Sequence, residues 1–260
     1  MARIMKPPVV VIGMGELGGV FARAFLKAGH PVYPVTRSMN ILTAQREIPD
    51  PVFVLVAVAE NDLSTVLETM PGNWRYKIGL LQNELLPSDW QSRNINDPTV
   101  VSVWFEKKRG QDYNVFIPSP IYGPNSRLTV NALSTLDIPS RILSGTDDLL
   151  QALVIKNVYV LTINIAGLMT GGTVGELWAG HNELTRRIAG EVIVLQERLT
   201  GAVFDREALM NGMLAGIEAE PAHQCRGRSS SQRLGRVIAL ADRYNLGIPA
   251  IREIHANSLS

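Results

Sequence analysis

The sequence predicts the α/β fold class, with an N-terminal Rossmann-type dinucleotide-binding domain followed by an all-helical C-terminal domain. In the first 145 residues, short apolar runs typical of strands alternate with helical segments, which is the pattern of βαβ units. A glycine-rich turn follows the first of these runs directly. After about Ser144 long helical patterns replace the strands. We therefore expect one domain over residues 1–145 and a second over residues 146–260.

The elements of the first half follow from apolar runs and from the turn residues that bound them. Residues 9–12 are continuously apolar, which is typical of a strand covered on both faces of a parallel sheet. A helix is predicted over residues 16–28, where Gly29 ends it. The remaining expectations are strands at 32–35, 52–58 and 78–81, a short helix at about 62–70, and a hairpin that pairs 100–105 with 113–117. Pro34 lacks an N–H donor, so we expect strand 32–35 to pair on both sides over only part of its length.

Four long helical patterns and a short final one fill the second half. They cover about residues 149–169, 175–199, 205–219 and 230–244, with a last helix after Pro249. Thr146, Asp147 and Asp148 are predicted to cap the first of them. That helix is apolar on nearly every side, so we expect it to be buried.

Composition excludes several classes of function. With 46% hydrophobic and 19% charged residues the chain can bury a sizeable core. A net charge of +1 gives no indication of a nucleic-acid partner. Cys225 is the single cysteine, and the histidines are scattered, so neither an intramolecular disulfide nor a metal site is expected. The first eight residues lack a secretory signal and no apolar run reaches about 18 residues, so we expect a cytoplasmic protein without a membrane segment.

The glycine-rich turn reads Gly13-Met14-Gly15-Glu16-Leu17-Gly18, which fits G-x-G-x-x-G between a strand and a helix. The first glycine permits the tight turn, the second lets the backbone approach a pyrophosphate, and the third lets helix and strand pack closely. The helix N-terminus offers unpaired N–H groups to the anion. All six residues are therefore predicted to bind a dinucleotide, and a turn without a ligand is the alternative.

The residues after the second strand favour NADP(H) over NAD(H). An NAD site usually carries an acidic residue there, whereas this sequence reads Thr36-Arg37-Ser38. The Arg37 guanidinium suits a 2′-phosphate, and the two hydroxyls can donate to it. An exposed loop arginine without a ligand is the alternative.

Two polar residues interrupt the apolar helix 149–169. Lys156 and Asn164 lie eight residues apart, about 80° around the helix axis, so they share a face. A lysine held away from water can act as a general acid toward a carbonyl that is being reduced. The alternative is a lysine whose ammonium group extends to solvent.

These features resemble the ketopantoate reductase family of the 6-phosphogluconate-dehydrogenase-like superfamily. The resemblance covers most of the chain, and the ungapped spacing from Lys156 to Gly175-Glu176-Leu177 is its most specific part. In addition, Leu81-Gln82-Asn83-Glu84 is similar to the family's His-Asn-Gly strand end. The resemblance implies that Lys156 is the general acid, that Asn83 contacts the cofactor, and that Asn164 orients the substrate. It implies an NADPH-dependent reductase of a small, 2-oxo acid-like carbonyl compound bound between the domains.

Several positions depart from the family pattern. Val160 and Val174 stand where the family has substrate-binding asparagines, Ala59 stands near the position of a lysine, and Ser231 aligns roughly with a glutamate. Lost hydrogen bonds of this kind indicate a more apolar carbonyl or imine substrate. The alternative function is an NADP(H)-binding sensor or pseudo-enzyme.

Two further expectations concern the helical half. Its last helices carry apolar faces that would permit a homodimer. Arginines cluster around the serines near residue 230, and we interpret them as a solvated surface, with contacts to an anionic substrate or to the cofactor phosphates as the alternative. They are Arg226, Arg228, Arg233 and Arg236.

Overall fold

A mostly parallel β-sheet organises the first half of the chain in the computed structural model, which describes residues 6–258. Its seven described strands lie in the order β2-β1-β3-β4-β5-β8-β9, and a separate hairpin is formed by β6 and β7. The strands are β1 Val9–Ile12, β2 Val32–Val35, β3 Phe53–Val56, β4 Ile78–Leu80, β5 Thr99–Val101, β6 Phe105–Lys107, β7 Tyr113–Val115, β8 Ser119–Tyr122 and β9 Ser140–Ile142. Every adjacent pair in the sheet is parallel except β5 with β8.

Helices connect these strands. They are α1 Glu16–Lys27, α2 Ile41–Glu47, α3 Glu60–Glu68, α4 Pro87–Gln91 and α5 Ser126–Ser134, with a 3-10 turn at Gly72–Lys77 before β4. The first strand pairs with β2 on one side and β3 on the other, so the order of the strands reverses there. In open α/β sheets this reversal point, at the carboxyl ends of the strands, is where ligands bind.

Large aromatic side chains fill the core between α1 and the sheet. Phe25 meets Phe53 edge-on, with ring centroids 5.8 Å apart. The ring of Phe53 also lies across β4, because a Cβ added at Gly79 would stand 2.2 Å from its Cζ. A glycine is therefore required at that point of the strand.

The second half consists of helices. They are α6 Thr146–Thr170, α7 Val174–Gly180, α8 Asn182–Thr200, α9 Arg206–Ala219, α10 Ser230–Tyr244 and α11 Pro249–Ser258. The chain divides into two compact units, Met1–Leu150 and Gln151–Ser260, and the division falls inside α6. The sheet with its helices, followed by a helical unit, confirms the predicted fold class.

One described helix, α6, is long and apolar enough to cross a membrane. However, 83% of its most apolar stretch is buried inside the protein, as in the core helix of a soluble protein. Close packing explains this burial. An added Cβ at Gly167 would stand 2.5 Å from the Cβ of Cys225, and one at Gly212 of α9 would stand 2.7 Å from Ile155.

The structure corrects several details of the sequence analysis. The run 100–105 is divided, because its start belongs to the main sheet as β5 and only Phe105 enters the hairpin as β6. The predicted helix 175–199 is two helices separated at His181. Thr146, Asp147 and Asp148 form the first turn of α6 rather than its cap. The strand with Pro34 lies at the edge of the sheet and pairs only with β1. The expectation that a leader is absent rests partly on residues 1–5, which lie outside the described range.

Candidate functional site

The glycine-rich turn lies at the carboxyl end of β1, at the reversal point of the sheet. Gly13 has a φ of +93°, and a Cβ there would stand 2.7 Å from the carbonyl oxygen of Ala57, just after β3. Its N–H donates to the carbonyl of Val35 at 2.9 Å. Because both the backbone angle and the neighbouring strand exclude a side chain, only glycine fits this turn.

The other two glycines of the motif have different surroundings. A Cβ at Gly18 would stand 2.0 Å from the carbonyl oxygen of Gly13, so Gly18 is required for the close packing of α1 against the turn. A Cβ at Gly15 would meet no atom within 4 Å. The backbone at Gly15 therefore borders open space, as it must if a pyrophosphate is to approach it.

The first turn of α1 offers backbone donors next to this space. Gly15 is the N-cap of the helix, and no side chain caps it. Met14 is 41% exposed, Leu17 is half-buried, and the Glu16 carboxylate pairs with the Lys107 ammonium at 3.4 Å. A surface cavity of about 300 Å³ adjoins Met14, Gly15 and Glu16 and extends along the flank of α1 toward the β6–β7 hairpin. The uncapped N–H groups and the helix dipole favour an anion here.

The three residues predicted to select NADP(H) follow β2 and are exposed. The Thr36 and Ser38 hydroxyls lie 3.2 Å apart and share a hydrogen bond. The Arg37 guanidinium makes no hydrogen bond or ion pair with another residue between 6 and 258. Its donors are therefore available to an external anion.

Polar side chains tie the ends of β3 and β4 together. The buried Gln82 amide donates to the carbonyls of Val56 at 2.8 Å and Val58 at 3.2 Å. Next to it, the half-buried Asn83 donates from Nδ2 to a Glu60 carboxylate oxygen at 3.2 Å. The family resemblance points to Asn83 but gives no indication of the bracing role of Gln82. A glutamine directly after an apolar strand was the available signal.

Lys156 lies on α6 with only 9% of its surface exposed. Its Nζ stands 5.5 Å from the centre of the Tyr159 ring, one turn further along the helix. The adjacent Asn157 is also buried and donates to the Gln196 side chain of α8 at 3.0 Å. The lysine is thus largely buried on α6, next to an aromatic ring, rather than extended into solvent at a helix end.

Asn164 is 5% exposed and forms a network with the start of α10. Its Oδ1 accepts hydrogen bonds from Arg233 Nη1 at 2.8 Å and from the Ser230 hydroxyl at 3.1 Å. Arg233 is 8% exposed, so the interpretation of the arginine cluster as a solvated surface is wrong for this member. Arg226 and Arg228 are exposed, as that interpretation predicts.

Two of the four positions that depart from the family pattern are buried apolar side chains, whereas Ala59 and Ser231 are exposed. Val160 and Val174 are both buried. The family-like motif Gly175-Glu176-Leu177 after Val174 has a structural role. Thr173 and Glu176 cap α7 reciprocally, the Thr173 N–H donating to Glu176 Oε2 at 2.8 Å. A Cβ at Gly175 would meet Pro221 at 3.0 Å, so this glycine allows α7 to pack closely.

The residues present fit a dinucleotide and give no indication of a metal. The described residues contain no group of three or more histidine, cysteine, aspartate or glutamate side chains placed to hold an ion. By contrast, the open space at Gly15, the uncapped helix start and the unpaired Arg37 are the features that a pyrophosphate and a 2′-phosphate require.

Comparison with known proteins identifies the fold. No family model matches the chain, and no curated protein sequence matches it. Among solved structures, the 2-dehydropantoate 2-reductase of Methylococcus capsulatus matches with a TM-score of 0.72 and 14% identity, over 96% of this chain and 94% of that one. A dimeric ketopantoate reductase of Staphylococcus aureus matches with a TM-score of 0.67 and 15% identity, over 96% of this chain and 97% of that one.

A second kind of enzyme shares the same architecture. D-mandelate dehydrogenase, solved with NADH, matches with a TM-score of 0.68 and 11% identity, over 96% of this chain and 98% of that one. At these identities the comparison establishes architecture rather than activity. Over nearly its whole length, the chain has the fold of the ketopantoate reductases. The resemblance seen in its sequence motifs is therefore confirmed for the fold.

Proposed function

We propose that this protein is an NADP(H)-dependent oxidoreductase that reduces a small, 2-oxo acid-like carbonyl compound, with Lys156 as the general acid. The observation that carries the proposal is the burial of Lys156, 9% exposed, in an apolar helix of a chain that also has a Rossmann glycine turn. A lysine largely removed from solvent in such a chain is a candidate proton donor, which favours a chemical role. The solved ketopantoate reductases and the mandelate dehydrogenase of the same fold act on compounds of this class by their names.

Each group has a defined task in this proposal. The turn from Gly13 to Gly18 binds the pyrophosphate through backbone N–H groups, and Thr36, Arg37 and Ser38 bind the 2′-phosphate. Asn83 contacts the nicotinamide end. A bound NADPH would supply the hydride, and Lys156 Nζ would give its proton to the carbonyl oxygen as negative charge develops there. Asn164 orients the substrate.

The substrate pocket should be more apolar than that of a ketopantoate reductase. Val160 and Val174 supply no hydrogen bond where the family has asparagines, so hydroxyl groups on the substrate would lose partners. We therefore expect 2-oxo acids with unsubstituted aliphatic or aromatic chains to be preferred over hydroxylated ones. We also propose a homodimer in the cytoplasm, and light scattering of the purified protein tests the assembly.

The decisive test is Lys156→Met, which removes the ammonium and keeps an unbranched apolar side chain. We expect turnover to fall by at least about 100-fold, because the proton donor is lost. The dissociation constant for NADPH should stay within about twofold, since the cofactor residues are untouched. Lys27→Met removes an exposed lysine of α1 and serves as the matched control. Unchanged turnover in Lys156→Met would refute the general-acid role.

Arg37→Ala tests the choice of cofactor. We expect NADPH to bind at least about tenfold more weakly, because charge-assisted hydrogen bonds to the 2′-phosphate are lost. NADH lacks that phosphate, so its affinity should not change. Fluorescence titration measures the dissociation constants of NADPH and NADH in the wild type and in the variant. An equal loss of affinity for both cofactors would contradict NADP(H) selectivity.

A sensor that binds NADP(H) without chemistry is the second candidate, and the two buried valines favour it. A panel of 2-oxo acids, aldehydes and imines, followed by NADPH absorbance, separates the two. Tight NADPH binding without oxidation across the panel would support the sensor.

A further inference from the structure

A buried arginine fixes the direction in which Asn164 can form hydrogen bonds. A guanidinium only donates, so the atom of Asn164 that faces Arg233 Nη1 at 2.8 Å has to be the carbonyl oxygen. The Ser230 hydroxyl has one proton, which Asn164 Oδ1 shares with the Gly227 carbonyl at 2.9 Å. The arginine is therefore the unambiguous donor, and it turns the amide nitrogen of Asn164 away from α10.

The amide nitrogen is left without a partner inside the protein. Asn164 is 5% exposed, and its Nδ2 donates no hydrogen bond to any residue in the described range. This nitrogen is not one of the fully enclosed side-chain atoms that lack a partner, so it reaches accessible space, where its N–H groups are available to an external acceptor. A hydrogen bond from a cation to the carbonyl of the same amide also polarises its N–H bonds, which makes them stronger donors.

We infer that Arg233 is a positioning residue that makes Asn164 donate to an anionic acceptor, and that this acceptor is the carboxylate of the substrate. Arg233 acts through Asn164. Its guanidinium donates to the amide oxygen, and the amide NH₂ donates to the ligand, which favours a negatively charged acceptor. The inference rests on the proposed function and narrows it, because it selects 2-oxo acids over neutral ketones, aldehydes and imines.

Three variants of the full chain test this inference. Asn164→Asp keeps an acceptor toward Arg233 and Ser230 but replaces the NH₂ group with an oxygen. Arg233→Gln removes the obligatory donor, so the Asn164 amide can rotate. Arg233→Lys retains a donor-only cation. Asn131→Asp adds the same charge on an exposed face of α5 and is the matched control.

The probe is oxamate, which carries the carboxylate and adjoining carbonyl of a 2-oxo acid and is not reduced. Binding is measured by saturation-transfer NMR with saturating NADPH, alongside NADPH affinity and the thermal midpoint. We expect Asn164→Asp to bind oxamate at least about tenfold more weakly, since a donor to a charged group is lost. Its thermal midpoint should stay close to that of the wild type. Arg233→Gln should weaken oxamate binding by a similar factor. In Arg233→Lys and Asn131→Asp the dissociation constant for oxamate should stay within about threefold of the wild-type value.

The outcomes separate this inference from the proposed function. Wild-type oxamate affinity in Asn164→Asp or in Arg233→Gln overturns the positioning role, even if the protein is a reductase. Oxamate binding that is lost in both of these variants and retained in Arg233→Lys supports it. A wild-type protein that binds NADPH, reduces neutral aldehydes and ignores oxamate overturns the carboxylate assignment and leaves the reductase standing. A wild-type protein that reduces no member of the panel and ignores oxamate overturns both.

Discussion

At the scale of single residues, the three glycines of the turn share a motif but not a physical role. Gly13 and Gly18 have no room for a side chain, whereas Gly15 faces open space. The sequence motif does not distinguish the three glycines. The atoms around each one show that Gly13 and Gly18 are needed for folding, whereas Gly15 is needed for binding.

Gly15→Ala and Gly18→Ala should therefore behave differently. Gly15→Ala should keep its stability within about 1 kcal/mol, because its φ of −72° suits alanine and its Cβ meets nothing. It should weaken NADPH binding, since the methyl group occupies the approach of the pyrophosphate. Gly18→Ala should lose about 2 kcal/mol or more through overpacking against Gly13. Thermal denaturation and NADPH titration measure both effects, and equal destabilisation of the two variants would contradict this assignment.

The candidate site was only partly predictable from single residues. The glycine turn, Arg37 and Lys156 could be found because each combines a local pattern with a chemical requirement. Arg233 could not, since its contact with Asn164 joins residues 69 positions apart and depends on how α10 packs on α6. One signal was present. Arg233 precedes Leu234 on the buried face of α10, where a solvated arginine is unexpected.

At the scale of elements, prediction succeeded where one apolar pattern ran through the whole segment. Strand β1 and helix α10 agree with their predicted bounds for this reason. The structure adds β8 and β9, which the sequence analysis did not predict. The first of them contains Pro120, and β9 is a three-residue edge strand that is mostly exposed. Such short strands depend on pairing with distant strands, so they lack a local signal.

The capping box of α7 shows that the most family-like motif supports structure. Thr173→Ala should lower the free energy of unfolding by about 1 kcal/mol, because the helix loses its cap. NADPH affinity should not change. Thr170→Ala is the matched control, since the Thr170 hydroxyl bonds only within its own turn and to Gly171. Chemical denaturation compares the two variants, and a large loss of NADPH affinity in Thr173→Ala would assign the motif to the site instead.

At the scale of the whole molecule, the architecture is retained at low sequence identity while polar positions differ. A TM-score of 0.72 at 14% identity shows that very different sequences adopt this architecture. Activity depends on side chains placed on that scaffold, so the fold alone does not name the substrate.

The single cysteine gives a direct measure of unfolding. Cys225 is fully buried, and burial, together with the nearby Glu176 carboxylate, raises the pKa of its thiol to about 11. At pH 8 the thiol is therefore far less ionised in the folded state than in an unfolded chain, where its pKa is about 8.5. We expect thiol reagents to label the native protein very slowly and to label one site per chain in denaturant. Labelling should follow the circular dichroism transition, and fast labelling of the native state would contradict this burial.

The ring of Phe53 occupies the volume that any side chain at Gly79 would need. Neither position can accept a change of size alone, because enlarging one overpacks the sheet and trimming the other leaves a void. In homologous sequences we therefore expect a larger residue at position 79 to occur together with a smaller residue at position 53. Such paired substitutions would group related sequences by two core positions that do not belong to the candidate site.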